Sequence, residues 1–568
     1  MDCANWYGIQ VDSGKKQQAL YPAMGRKHVH FLNENRLIYN TEPRDEFRTI
    51  DYMYVIEGTQ VIAYDRFFNP QILGNISLTG TLWFAYLPVN TAVYALLTNG
   101  TSVYIITEIG TSVTMTLCTD TNAPTKPQYV AAFGNRFIVS QADTPINYLT
   151  QINLGGSPPV DPAKIFTIPD GGAGFALFFS SSGIVRSYAV LHSQLYIFTD
   201  FTTDIWANIP TQITVAGVTR EFPWKINTSY NWDYGIADPL SLSVDFGRMV
   251  WLGKNSNGLV SFMASDGGQP VDISTQAINI LLENSTEDDD GLSPFLRLTS
   301  DGFLYQYENT VFYRVSAGIY DNTQLLDPTT FANSIEYNFE TKTWGRVIEL
   351  NGSRCRIQKH IYFNSRHLVI VQGDPAIYEM AGNIYYNELR NPAQPDTQAA
   401  DAFLKFPMRY ELVTQQIYQE DYSEFIDDYV EIDFVFGNKT FYRSCAPFLN
   451  TKFIVDERST PEVPIYMLTE DDKFIIAEGS NTPTFDDNHY CALFKPHIEL
   501  YYSDDGGVSF LTADLREFSP LGQYRWRMRW YELGISRNRC YRLVCVSSAP
   551  IVILGAVRNT RRASGGAN

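Results

Sequence analysis

Thiols are few and unpatterned in this sequence: seven cysteines, at positions 3, 118, 355, 445, 491, 540 and 545, include no C-x-x-C pair. An odd count without close pairs argues against a disulfide framework or a structural zinc site and for buried free thiols. Long apolar runs are missing too. No window of about 18 apolar residues occurs, so no transmembrane helix and no stable membrane insertion are expected. The opening MDCANWYGIQVDSGKK lacks the charged-then-apolar order of a secretory leader, so the chain is expected to stay in a cytoplasm or leave it by another route. Positive charge is short as well, with 43 Lys and Arg against 62 Asp and Glu, a net charge of −19. Gripping a phosphate backbone requires Lys and Arg to release counterions, so such a chain does not hold DNA over its whole surface. It could still surround DNA without holding it. Otherwise the charge serves solubility.

Catalytic signatures are absent: there is no H-E-x-x-H, no G-x-x-x-x-G-K-[ST] and no G-x-S-x-G. A glycosidase needs two positioned carboxylates, and here acids are so numerous that spacing selects no pair. The F/Y-R-I-P signature of sialidases is missing. Seven histidines are scattered, and His28-x-His30 alone is a weak metal cue. The expectation is a non-enzyme with no catalytic residue, cofactor or metal.

What the chain has is aromatic β-structure. Its 568 residues exceed one compact core, 45% are apolar, and 36 Tyr and 35 Phe favour strands and large interfaces. Leu191 to Trp206, LHSQLYIFTDFTTDIW, sets the pattern: short apolar strands punctuated by His-Ser and Asp-Phe-Thr-Thr turns. The pattern recurs. Phe133-Gly134-Asn135-Arg136 precedes FIVS, Asp245-Phe246-Gly247-Arg248 precedes MVWLG, and Ser300-Asp301-Gly302 precedes FLYQY. Asn364-Ser365-Arg366 precedes HLVIVQG, and Asn33-Glu34-Asn35-Arg36 precedes LIYN. Asn99-Gly100 between AVYALL and SVYIIT is a strong hairpin signal. Such repeats predict an all-β chain whose residues 1–390 form a β-propeller-like domain of about six or seven blades. Residues 141–175 read as a long loop between blades. Trp344 begins a return strand after Ile335–Asn338, and residues 273–283 read as one helix with Ser274 as N-cap.

Residues 391–402 (NPAQPDTQAA and two more) read as a linker. Longer strands follow, FLKFPMRYELV, DYVEIDFVFG, PHIELYYS and then RWRMRWYELGI, YRLVCVS and IVILGAV, with good alternation in the second and third, and predict an antiparallel β-sandwich over 403–560. An acidic insertion at about 437–490 interrupts it, and 561–568 read as a disordered tail. Within it, Ser503, Asp505, Gly507 and Phe510 fit an Asp-box hairpin, a folding device in which the Asp carboxylate accepts backbone N–H bonds and the aromatic pins the turn to the core. Arg525, Arg527 and Arg529 alternate with Trp526, Met528 and Trp530, so on a strand they share one face. They are either a polar outer face or a contact with an acidic neighbouring subunit or passing DNA.

The order of segments resembles a known family. Gly235-Ile236-Ala237 is followed by DFGRMVWLG, by Gly267-Gly268-Gln269-Pro270-Val271, and by ISTQAI at 273–278. Later come Leu500 to Gly507 (LYYSDDGG) and the closing run from Arg527 to Val557. Together these resemble the packaged-DNA stabilisation proteins, also called tail hub or nozzle proteins, of short-tailed bacteriophages. The likeness spans roughly 185–565. It implies a structural virion protein, assembled in the host cytoplasm, that forms a homo-hexameric ring. The ring would extend the portal-adaptor channel, retain packaged double-stranded DNA without sequence recognition, carry tailspikes or fibres, and meet a tail needle or plug. The other architecture-compatible reading is a propeller glycan hydrolase or lectin acting on host surface polysaccharide.

Overall fold

Two-residue turns set the local geometry. In the computed structural model, both residues of Gly134–Asn135, His192–Ser193, Phe246–Gly247, Glu308–Asn309 and Asn364–Ser365 have φ between 46° and 69°. Positive φ at both central positions defines a type I′ turn, whose twist matches that of the strands it joins. The structure describes residues 2–10, 18–32 and 43–562, apart from 78–79, 151–159, 168–174, 178–182, 216–217, 228–230, 284–294, 299–300, 322–323, 326–332, 351, 373, 391–402, 420–421, 437–442, 445–491, 494–496 and 518–524.

The turns organise seven four-stranded antiparallel blades, beginning with strands Pro43–Arg48, Trp83–Val89, Pro127–Phe133, Ser187–Leu191, Tyr234–Asp245, Phe303–Tyr307 and Ile357–Phe363. Most inner strands are buried on both faces, which explains why Met53–Glu57 shows no polar alternation. Alternate residues go to opposite neighbours: Tyr54 and Ile56 pack toward blade 2, Met53 and Val55 toward blade 7. Seven apolar clusters fill the seven interfaces, and the last, between blades 7 and 1, closes the ring. The fold is an all-β, seven-bladed propeller.

Closure depends on the N-terminus. Gly25–Phe31 supplies the fourth strand of blade 7 by pairing with Asp374–Ala381. Gly25 is required there, since a Cβ would lie 2.3 Å from the Tyr386 carbonyl oxygen. Next to it, the Arg26 guanidinium meets the Glu349 carboxylate at 2.7 and 3.0 Å, and Asn387 Nδ2 donates to the same carboxylate at 3.1 Å. Burial would raise the Glu349 carboxyl, but Arg26 outweighs it and holds the group below the usual carboxylate range.

A two-sheet sandwich adjoins blades 6 and 7. One sheet runs Asp2–Ala4, Phe403–Val413, Asn538–Ser547, His497–Ser503, Leu511–Glu517, and the other runs Trp6–Gln10, Gln18–Pro22, Ile551–Arg562, Phe425–Phe436, Arg525–Tyr531. Ala4 also pairs with Arg346 on the outer strand of blade 6, so the propeller and sandwich share a continuous sheet.

Several sequence expectations change. Asp2–Gln10 and Gln18–Pro22 belong to the sandwich rather than to a propeller of 1–390, because Trp6 buries its indole against Tyr410 (5.3 Å between centroids) and donates Nε1–H to the Ile551 carbonyl. Residues 141–175 are not an interblade loop: Ile146–Leu149 and Phe175–Leu177 are the third and fourth strands of blade 3. Helix Gln276–Glu283 has Thr275, not Ser274, as the residue whose carbonyl accepts its first bond; Ser274 Oγ accepts the Phe262 N–H instead. Arg561 and Arg562 lie in the strand Ile551–Arg562. The 391–402 linker, residues 33–40, and most of the insertion and tail fall outside the described residues.

Breaking a buried ion pair from one side leaves a desolvated charge. Arg26→Met should therefore destabilise the protein by about 3–5 kcal/mol in chemical denaturation at pH 7, and Arg26→Met with Glu349→Met should recover much of that loss. A single variant unfolding within about 1 kcal/mol of wild type would remove the pair from its assigned role.

Candidate functional site

Polar clusters interrupt the apolar interfaces of the propeller, two of them at blade 7. In the first, where blades 1, 6 and 7 meet, Lys359 Nζ contacts Asp45, lies 3.0 Å from Asp301, and stands 4.1 Å over the Phe47 ring. Glu46 beside them is fully buried with neither carboxylate oxygen hydrogen-bonded. Burial raises its pKa well above the usual carboxylate value, against the pull of Lys359. Burial likewise pushes Asp45 up to about 6, with Lys359 opposing. Through Lys359 the cluster ties blade 7 to Asp45 of blade 1 and to Asp301, which leads into blade 6.

The second cluster is a histidine pair on blade 7. His360 Nε2 and His367 Nδ1 are 3.0 Å apart, so one ring donates and the other accepts. His360 stacks on Phe303 of blade 6 at 4.7 Å. Burial lowers its pKa well below the usual value, helped by His367, Arg314 and Arg48; burial also lowers His367, against the Gln306 backbone, Asp245 and Glu379. Arg314, fully buried, is paired with Glu336 at 2.6 Å and bonded to Tyr305 Oη at 3.0 Å.

The Asp-box residues of the sandwich come together. Asp505 accepts from Ser503 Oγ (2.6 Å), Val508 N (3.0 Å) and Ser509 N (2.9 Å), while Gly507 N donates to Ser503 Oγ at 2.8 Å. Those donors hold the Asp505 carboxyl far below its ordinary value. Gly506 and Gly507 have φ of 84° and 95°, which the turn requires. Phe510, expected to pin the hairpin to the core, instead lies half-buried with its ring 5.7 Å from the Arg542 guanidinium.

Arg525, Arg527 and Arg529 do share the outer face of one strand. Two carboxylates on the neighbouring strand Phe425–Phe436 face them. Arg525 is bidentate to Asp433 (2.6 and 3.1 Å), Arg529 binds Glu431, and Arg527 lies 3.7 Å from Glu431 and 3.9 Å from Asp433. Three cations and two anions leave one net positive charge on this patch. Among the described residues Arg525–Tyr531 pairs only with Phe425–Phe436, so it is an edge strand, and charged residues on an edge deter unwanted strand pairing.

His28 and His30 lie on the closing strand among aromatic rings: His28 is 4.4 Å from Phe31, and His30 is 5.1 Å from Tyr64. Among the described residues no three His, Cys, Asp or Glu side chains are arranged to hold a metal. Sequence reading overlooked a cleft between blade 6 and the sandwich, lined by residues such as Arg346, Glu411, Phe510 and Arg542. The glycines of the Asp box were the one available signal for it.

No protein-family model and no curated protein matches the chain. Among solved structures it is similar to a virginiamycin B lyase from Staphylococcus aureus at 8% identity and TM-score 0.34, covering 63% of this chain and 99% of that one. The Neurospora crassa Pan2 WD40 domain is similar at 8% identity and TM-score 0.33, covering 64% and 96%. YCF48 bound to D1 peptide is similar at 12% identity and TM-score 0.32, covering 66% and 99%. The propeller assignment rests on the strand pairing above.

Because the unfolded chain protonates histidine at its ordinary value near 6.5 and the folded rings resist it, stability should be full above that pH and fall as pH drops below it. Asp45 and Glu46, raised by burial, act in the opposite direction over the same range, so the histidine share is read as a difference: urea midpoints from pH 7.5 to 5 should fall relative to those of His367→Gln, and parallel profiles of the two proteins would contradict it. At the Asp box, Asp505→Ala removes the acceptor of the whole turn, so limited proteolysis should cut at 504–510 faster than in wild type. An unchanged rate would mean that the turn holds without the carboxylate.

Proposed function

We propose that this chain is a structural subunit of a short-tailed phage virion, a tail hub or nozzle that assembles as a six-membered ring below the portal adaptor. The observation that carries this reading is the ordered run of resembling segments over roughly 185–565, which falls in one body: propeller blades 4 to 7 and a sandwich joined to them by shared sheet. A part that transmits load between a capsid and tail appendages benefits from such a joint. Backbone pairing through Asp2–Ala4 and the Asn5 side chain, whose Nδ2 donates to the Ile348 and Arg409 carbonyls at 2.7 Å each, resists bending between the two units. The role assigned is structural rather than enzymatic. Partners under this reading are five further copies, the adaptor ring, a tailspike or fibre, a needle or plug, and duplex DNA passing through an acidic lumen.

Negative-stain imaging of the purified protein, alone and mixed with its candidate adaptor ring, tests the proposal. Six-fold rings with an open axial channel, formed alone or on the adaptor, are expected. Monomers that never dock to an adaptor would overturn it.

A further inference from the structure

Three arginines surround one glutamate where the sandwich meets blade 6. Glu411 accepts from Arg542 Nε at 2.5 Å, with Arg346 at 3.9 Å and Arg409 at 4.0 Å. The carboxylate is 8% exposed, while the Arg346 and Arg542 side chains are 33% and 31% exposed. Both side chains line a cleft of about 390 Å³, together with Thr414, Gln416, Gly506 and Phe510. That volume falls among small-molecule sites, which run from about 300 to 1,000 Å³. Its lining carries two cations and one anion, an excess of positive charge within a chain of net charge −19.

The walls are held in place before any ligand arrives. Arg542 stands 5.7 Å from the Phe510 ring and 5.9 Å from the Tyr501 ring. A Cβ on Gly506 would meet Gln416 Nε2 at 2.6 Å, so the Asp-box turn and the Gln416 amide fit together only because that position is glycine.

We propose that this cleft binds a carboxylate-bearing saccharide unit, its carboxylate received by Arg346 and Arg542 and its ring packed on Phe510. Guanidinium groups favour planar carboxylates, and the Thr414 hydroxyl and Gln416 amide supply partners for sugar hydroxyls. An acidic peptide is the competing ligand: Phe403–Val413 is paired on both sides, by Asp2–Ala4 and by Asn538–Ser547, but Leu511–Glu517, next to Phe510, pairs among the described residues only with His497–Ser503, so hexaglutamate is included in the test. This inference does not depend on the hub reading, because the cleft lies within one chain.

Calorimetric titration of the full chain with oligogalacturonate and with sialyllactose, against lactose and hexaglutamate, tests it. At least one acidic sugar should bind about tenfold or more tightly than lactose, the worth of one charge-assisted hydrogen bond. Arg542→Gln should abolish that preference. Because Arg542 also supports Glu411, Arg346→Gln and Phe510→Leu serve as milder variants that should weaken binding with an unchanged thermal midpoint. Equal binding of acidic and neutral sugars, no binding of either acidic probe, unchanged affinity in the Arg346 and Phe510 variants, or a preference for hexaglutamate would each overturn the proposal.

Discussion

Ring closure is the constraint from which the rest of this structure follows. The ring closes where the last blade packs on the first, and the outer strand of that last blade, Gly25–Phe31, comes from the other end of the chain. The chain N-terminal to it must leave from the rim of blade 7, beside the outer strand of blade 6. Asp2–Ala4 and Trp6–Gln10 therefore emerge where a second domain can use them, and they add a strand to each sheet of the sandwich. Ring and sandwich are thus completed by one stretch of chain. The buried Arg26–Glu349 pair sits at this junction, where an ion pair fixes register at a cost in desolvation.

The same geometry decides what the sequence could reveal. Blade strands were legible because their runs are apolar and their turns carry Gly, Asn and Ser at positions needing positive φ. The sandwich strands were legible for the same reason, down to Phe403–Val413, which matches the run read from the sequence. The closing strand was not. GRKHVHF is cationic and only partly buried, and its partners lie some 350 residues away, beyond the reach of any local pattern. The blade count stayed open for that reason, and the domain boundary was misplaced.

Site chemistry was legible only where it was local. The Asp box lies within eight residues, and its hydrogen bonds match its pattern. The arginine strand was also read as a strand with one cationic face, yet its meaning depended on Asp433 and Glu431, which stand across the sheet 92 and 98 residues away. The cleft gathers residues from 346, 411–416, 506–510 and 540–542, and each is unremarked in its own segment.

Pairing of this kind also bears on the charge of the whole. Arg539 is 1% exposed and binds Asp427 and Asp504, Arg558 binds Asp427, and Arg26 and Arg314 are buried against glutamates. Each such pair is neutral, so it withdraws a cation from the outer field along with an anion. With 43 cations against 62 anions, every internal pair makes the remaining exposed charge more one-sidedly acidic. An acidic exterior repels phosphate at a range set by the Debye length, about 8 Å at physiological salt, whatever the DNA sequence. Under the proposed function, low adhesion to a sliding genome then needs no dedicated surface. Arg26, Arg314, Arg539 and Arg558 serve as such internal ties, while Arg346 and Arg542 beside Glu411 keep about a third of their side chains exposed.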